Sequence, residues 1–170
     1  MATLTSDLAT IISRDLRSFE QELELFADDA SIWQTMPGVT NSAGNLALHL
    51  SGNLQHFVGA TIGQTGYVRN RPVEFGTNSG TRADVIAELQ KAGAVVRAVL
   101  PTITDAQLEG RFPGQMGPVE LPMRIALVQL AAHVAFHLGQ AGYLRRMLTG
   151  DTRSTDPMST VTLAGMLQEE

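Results

Sequence analysis

The sequence predicts an all-α protein built as a four-helix bundle, and three observations carry that reading. Apolar residues recur at intervals of three and four in four separate stretches, the spacing that gives a helix one buried face. No run alternates apolar and polar residues for long enough to make a strand. Connections holding glycine and proline separate the stretches, and four amphipathic or buried helices of about 20 to 28 residues pack as a bundle.

The first helix is marked by Leu4, Leu8, Ile12, Leu16, Phe19, Leu23 and Phe26, with Arg14, Asp15, Arg17, Glu20 and Glu22 on much of the remaining surface. Residues 27–40 contain Asp28, Asp29, Pro37 and Gly38 and read as a loop anchored by Trp33 and Met36. Asn41 or Ser42 then caps a second helix, carried forward by Leu46, Leu50, Leu54, Phe57 and Ile62. Residues 66–80, with Gly66, Gly76, Gly80 and Pro72, read as a loop. Thr81 and Asp84 resemble a capping box with Asp in the usual Glu position, and open a third helix striped by Val85, Leu89, Ala92, Val96 and Val99 until Pro101 stops it. A connection with Gly110, Pro113, Gly114, Gly117 and Pro118 follows. Pro122 suits the first turn of a fourth helix running to about Thr149, where Arg145 and Arg146 complement the helix dipole and Gly150 ends it. A 15-residue loop reaches roughly 50 Å, farther than the 33 Å or so of a 22-residue helix. The connection after the second helix is therefore long enough to make helices two and three parallel.

At 170 residues and 18.3 kDa the chain suits a single domain burying roughly 70% of its unfolded surface. The bundle is assigned to residues 1–150. Residues 151–170 form a C-terminal extension whose Val161, Leu163, Met166 and Leu167 require a surface to cover, on the bundle or on a neighbouring subunit. With no cysteine there are no disulfides, no thiolate ligands and no protein thiol nucleophile, which fits a reducing cytoplasm. A net charge of -5 with few, scattered basic residues argues against nucleic acid. The first residues lack the basic start and apolar core of a signal peptide. The charge-free run from Ile125 to Leu144 has about the length of a membrane span, but Gln129, His133, His137 and Gln140 recur through it, so it reads as buried in protein and not in lipid.

All four histidines lie in two tracts without any Asp, Glu, Lys or Arg: Ala30 to Val68, with His49 and His56, and Ile125 to Leu144, with His133 and His137. Long uncharged tracts are those that folding removes from water, because an unpaired buried charge is costly. His133 and His137 share one face about 6 Å apart along the axis. With His49 from the second helix they have the makings of a three-nitrogen metal site with a vacant position. His49 and His56 are separated by about 10.5 Å of helix rise, too far to share one ion easily, and His56 is placed at the rim. Asn53, one turn beyond His49, and Gln140, one turn beyond His137, are candidates for orienting a ligand; the alternative is that they satisfy each other or the backbone. Arg69, Arg71 and Glu74 read as a solvated loop cluster more than as an anion site. No catalytic residue is identifiable, since no carboxylate shares the histidine stripes.

Two segments together, Val39-Thr-Asn-Ser-Ala-Gly-Asn-Leu-Ala-Leu-His49-Leu-Ser-Gly-Asn53 and His133-Val-Ala-Phe-His137-Leu-Gly-Gln140, resemble the DinB/YfiT-like superfamily of metalloenzymes. There an Asn-Ser pair leads into a His on helix two, and His-x-x-x-His-x-Gly-Gln lies on helix four. The resemblance covers about residues 1–149. It implies an up-down-down-up bundle, frequently dimeric, holding a divalent metal on His49, His133 and His137. Zinc heads the metals it would take, with nickel, iron or manganese also accepting imidazole. Val134 stands where an acidic residue is common in the family, and Leu138 where Arg is frequent. Some members are S-transferases or isomerases using low-molecular-weight thiols, so the resemblance implies such a thiol as cosubstrate acting on a small molecule. Hydrolysis by metal-activated water is the second chemistry. A non-catalytic protein, with a structural metal and a homodimer seam at Gly139 and Gly142, is the competing class.

Overall fold

In the computed structural model, which describes residues 3–167, the chain forms seven α-helices and no strand among the described residues. Helix α1 spans Leu4–Glu24 and is capped by the Thr3 hydroxyl, which accepts from the Ser6 amide. Helix α2 spans Ala43–Leu54 and starts at a capping box in which Ser42 and Asn45 exchange side-chain and backbone bonds. It runs on without a break as a π-helical segment, Gln55–Ile62. There the Gly63 amide reaches back to the Val58 carbonyl and the Thr61 hydroxyl to the His56 carbonyl, so the wider turn shifts every later side chain off the α-helical face.

The connection at 66–80, expected to be a plain loop, contains the short helix α3, Arg71–Gly76, capped by Asn70 with Pro72 in its first turn. Asn45 ties it to α2 by donating to the carbonyls of Glu74 and Thr77, at 3.1 and 2.7 Å. Helix α4, Arg82–Val99, opens at Thr81 as the sequence predicts and ends before Pro101. Between 101 and 121 lie a four-residue helix α5, Asp105–Leu108, and two isolated bridges, Arg111 to Pro122 and Met116 to Val119. Helix α6, Met123–Thr149, stops at Gly150, whose φ of 69° is a left-handed cap. Helix α7, Thr160–Met166, lies in the tail.

Helix α1 packs on α4 and α6, and α2 packs on the same two. The four long helices thus surround one core in the order α1, α4, α2, α6. The predicted stripes meet there: Leu8, Ile12, Leu16, Phe19 and Leu23 from α1, Leu46, Leu50 and Leu54 from α2, Val85, Leu89 and Val96 from α4, and Ala126, Leu130 and Leu138 from α6 are all buried. Each of the larger side chains contributes about 1.5–3 kcal/mol. Among the described residues α6 alone is long and apolar enough to cross a membrane, and 44% of its most apolar window is buried in the protein.

Two expectations fail on the polar side. The face of α1 carrying Arg14, Asp15 and Glu22 was expected to face water, yet all three are buried. Arg145, expected to complement the dipole at the end of the fourth helix, is fully enclosed: its Nε donates to Glu22 Oε2 at 2.6 Å, its Nη1 to the Asp151 carbonyl at 2.7 Å, and its Nη2 to the Arg153 carbonyl. The tail is the cause, because it folds back over α1. Thr155 donates to Glu22 Oε1 at 3.0 Å, Arg14 Nη2 to Met158 Sδ at 3.7 Å, and α7 packs on α1. Gly142 belongs to the same contact. A β-carbon there would lie 3.2 Å from Glu22 Oε1, so this glycine admits a carboxylate of its own chain, whereas Gly139 faces open space.

Candidate metal centre

Helix α2 presents His49 on its buried side, and α6 presents His133 and His137 one turn apart, half-buried. Their ring nitrogens converge. His133 Nε2 lies 3.2 Å from His49 Nε2 and 2.9 Å from His137 Nε2, and the three ligating atoms fall within 4.8 Å of one another. The outer nitrogens are already committed. His49 Nδ1 faces Glu74 Oε2 at 3.0 Å, and His137 Nδ1 faces Gln140 Oε1 at 2.7 Å. Arg69 Nη2 also lies 3.2 Å from His49 Nδ1, but the Glu74 carboxylate is nearer and Arg69 is engaged by that carboxylate, so both acceptors call for an N–H on Nδ1, which leaves the Nε2 of His49 and of His137 as lone pairs. His133 Nε2 carries at most one proton and cannot satisfy both.

A cation in the middle resolves that conflict. Zinc–imidazole bonds of 2.0–2.1 Å in a tetrahedron set nitrogens about 3.3 Å apart, close to the separations of 3.2 and 2.9 Å found between these atoms. Burial keeps the rings neutral, as a ligand must be. It lowers His133 to about 4, with positive charge on its two partner rings acting in the same direction. Burial also lowers His137, against an opposing hydrogen bond from Gln140, and lowers His49, against an opposing hydrogen bond from Glu74.

Glu74 and Arg69 are the functional residues that sequence reasoning missed. They were read as part of a solvated loop, but Glu74 is 5% exposed, and Arg69 grips it with both arms: Nε to Oε1 at 2.6 Å and Nη2 to Oε2 at 2.8 Å. Burial acts to raise the Glu74 carboxyl, yet the Arg69 guanidinium and the His49 ring outweigh it and hold it below the ordinary value. The signal was Gly52, three residues beyond His49 on α2. A β-carbon there would lie 2.2 Å from Glu74 Oε1, so a glycine that weakens the helix by roughly 1 kcal/mol opens the slot for this carboxylate. Arg71 of the same cluster lies over the Phe75 ring, 5.1 Å from its centre, and Phe75 stacks on His49 at 4.8 Å.

His56 stands apart, packed edge-on against Phe57 on the π-helical segment. Asn53 and Gln140 do not meet each other. Gln140 holds His137, while Asn53 is buried with its Oδ1 lacking a partner among the described residues. A cleft of about 370 Å³, lined by Val39, Asn41, Leu46, Tyr143 and Met147 among others, reaches the centre through Gln140, which lines it and holds His137.

A family model described as the DinB superfamily matches residues 11–141. The fold also matches a crystal structure of a conserved protein from Enterococcus faecalis, at 18% identity and a TM-score of 0.72, covering 89% of this chain and all of that one. That likeness is one of fold alone. No curated protein matches the chain.

Proposed function

The chain belongs to the DinB superfamily, and from that premise we propose that it is a divalent-metal protein whose ion sits on His49, His133 and His137 and serves an enzyme acting on a small molecule. The observation that carries the reading is the convergence of three Nε2 atoms that hold at most one proton among them. When bound, the ion supplies Lewis acidity, which acidifies water or a thiol and polarises a carbonyl. Zinc is the first choice of metal, with nickel, iron and manganese also accepting imidazole. The chain's own residues do the rest. Glu74 and Gln140 fix the tautomers of His49 and His137 and orient their rings. Arg69 occupies both oxygens of Glu74, so that carboxylate holds a ring instead of moving a substrate proton. Asn53 Oδ1, a buried acceptor without a partner among the described residues, offers a substrate N–H or O–H a place to bind. Gln140 lines the adjoining cleft while holding His137, and so links substrate position to ring position.

The reaction type we favour is S-transfer from a low-molecular-weight thiol, with hydrolysis second. The absence of cysteine suits a nucleophile that arrives as cosubstrate, and suits a cytoplasmic location. Metal-loaded protein should consume a bacterial thiol together with a model electrophile. Failure with a panel of thiols and electrophiles, in protein that retains its metal, rules out the S-transferase reading. The long connection between α2 and α4 supports an up-down-down-up bundle at residues 1–150 with residues 151–170 as an extension, whose described part, to residue 167, packs on α1.

A second reading has an observation of its own. Ile125, Val128, Phe136, Tyr143 and Met147 stand exposed along one face of α6, at intervals of three, eight, seven and four, and exposed apolar side chains grouped on one face mark an interaction surface. We read it as a homodimer seam, which the chain could use with a purely structural metal. Sedimentation at micromolar concentration should give a dimer that Phe136→Glu disperses; a monomeric wild-type protein removes this reading.

A further inference from the structure

We propose that the groove between α1 and α4, bordered by α7, binds a small molecule through a phosphate or carboxylate group held by Arg17, Arg97 and Ser13. This site is separate from the histidines and does not depend on the metal.

Of the chain's twelve basic side chains, ten have a partner of opposite charge or an aromatic face. Arg14, Arg69, Arg82, Lys91, Arg111, Arg124, Arg145, Arg146 and Arg153 meet carboxylates, and Arg71 lies over Phe75. Arg17 and Arg97 have neither among the described residues, and these two line the same groove. The groove comprises two adjoining hollows of about 390 and 300 Å³, which share Ser13, Arg17 and Arg97. Both volumes are near the lower end of the range for ligand pockets, about 300–1,000 Å³.

Ser13 is 2% exposed, and its hydroxyl lacks a hydrogen-bond partner among the described residues. A buried unsatisfied hydroxyl costs about 1–3 kcal/mol, and a ligand oxygen would satisfy it. Gly93 adds an independent sign. A β-carbon at this position in mid-α4 would lie 3.1 Å from Arg97 Nη1 and 3.5 Å from Leu16 Cδ1. The glycine thus lets the Arg97 guanidinium lie back along its own helix into the α1–α4 groove. Glu20, the carboxylate that lines the smaller hollow, accepts from Gln90 Nε2 at 3.1 Å and forms no ion pair with Arg17 or Arg97 among the described residues. Two guanidinium forks and a hydroxyl donor suit an oxyanion. Ala9, Pro101 and Met166 in the larger hollow suit an apolar arm attached to it.

Calorimetry on the full chain at low ionic strength tests this, with pyrophosphate as the phosphate probe and citrate as the carboxylate probe. Saturable binding of at least one probe is expected, and which binds tighter identifies the group recognised. Arg17→Gln and Arg97→Gln should each weaken binding about tenfold or more. Ser13→Ala and Gly93→Ala should weaken it as well, while Arg124→Gln, at a surface ion pair elsewhere, should not. Circular dichroism checks that each variant is folded, and metal content should be unchanged throughout. No saturable binding of either probe to the wild-type chain overturns the proposal, as does binding that the folded Arg17 and Arg97 variants retain in full.

Discussion

The two nitrogens of His49 have different duties: Nε2 points at the other histidines, and Nδ1 is held by Glu74. Removing such an outer-shell partner typically weakens metal binding 10- to 100-fold, so Glu74→Gln should lose about that much affinity while the three imidazoles remain. Gly52→Ala should act in the same direction, because its β-carbon occupies the place of Glu74 Oε1. Competition with a chelator measures both, and unchanged affinity in Glu74→Gln would remove the ring-orienting role. The three histidines were legible because their spacing and their charge-free surroundings are properties of single helices. Glu74 was not, since it reaches His49 from a connection 25 residues away, and its buried pairing with Arg69 makes a charged loop resemble a solvated one. Only Gly52, in mid-helix beside His49, carried a trace of it.

At the scale of elements, the four long helices and their caps follow from periodicity and from Ser42, Thr81, Pro101 and Gly150. The polar contacts between elements do not follow from periodicity. Glu22 and Arg145 look like surface charges in a helical pattern, but the tail covers them, and they are 2% and 0% exposed. Glu22→Ala would leave the Arg145 guanidinium buried with only backbone carbonyls and so should cost about 3–5 kcal/mol. Urea denaturation checks this, and a loss below about 1 kcal/mol, the scale of a surface pair, would mean that the tail does not enclose the pair. The π-helical segment 55–62 is likewise silent in the sequence. Its apolar residues continue the α2 stripe, and His56 near its start, about 10.5 Å of helix rise beyond His49, packs against Phe57 and apart from the three converging histidines.

For the molecule as a whole, the buried histidines make stability depend on pH. The His133 pKa falls from the ordinary 6.5 to about 4 on folding, so between those values the unfolded chain binds the proton and the folded chain does not. Stability therefore rises with pH across this window and is lost as pH falls through it. His49 and His137 shift the same way. Glu74, held below its ordinary 4.5, adds stability that is present above that value and lost as pH falls through its lowered folded pKa. The metal-free protein should have a clearly lower urea midpoint at pH 5 than at pH 7.5, and an unchanged midpoint would mean that the rings are not buried neutral. The most direct test is elemental analysis of the full chain purified without chelator, beside its His49→Ala, His133→Ala and His137→Ala variants. Expected is about one divalent transition-metal ion per wild-type chain, on three imidazoles, and loss of that ion in each variant. A metal-free wild-type protein, or variants that keep a stoichiometric ion, would contradict the three-histidine centre.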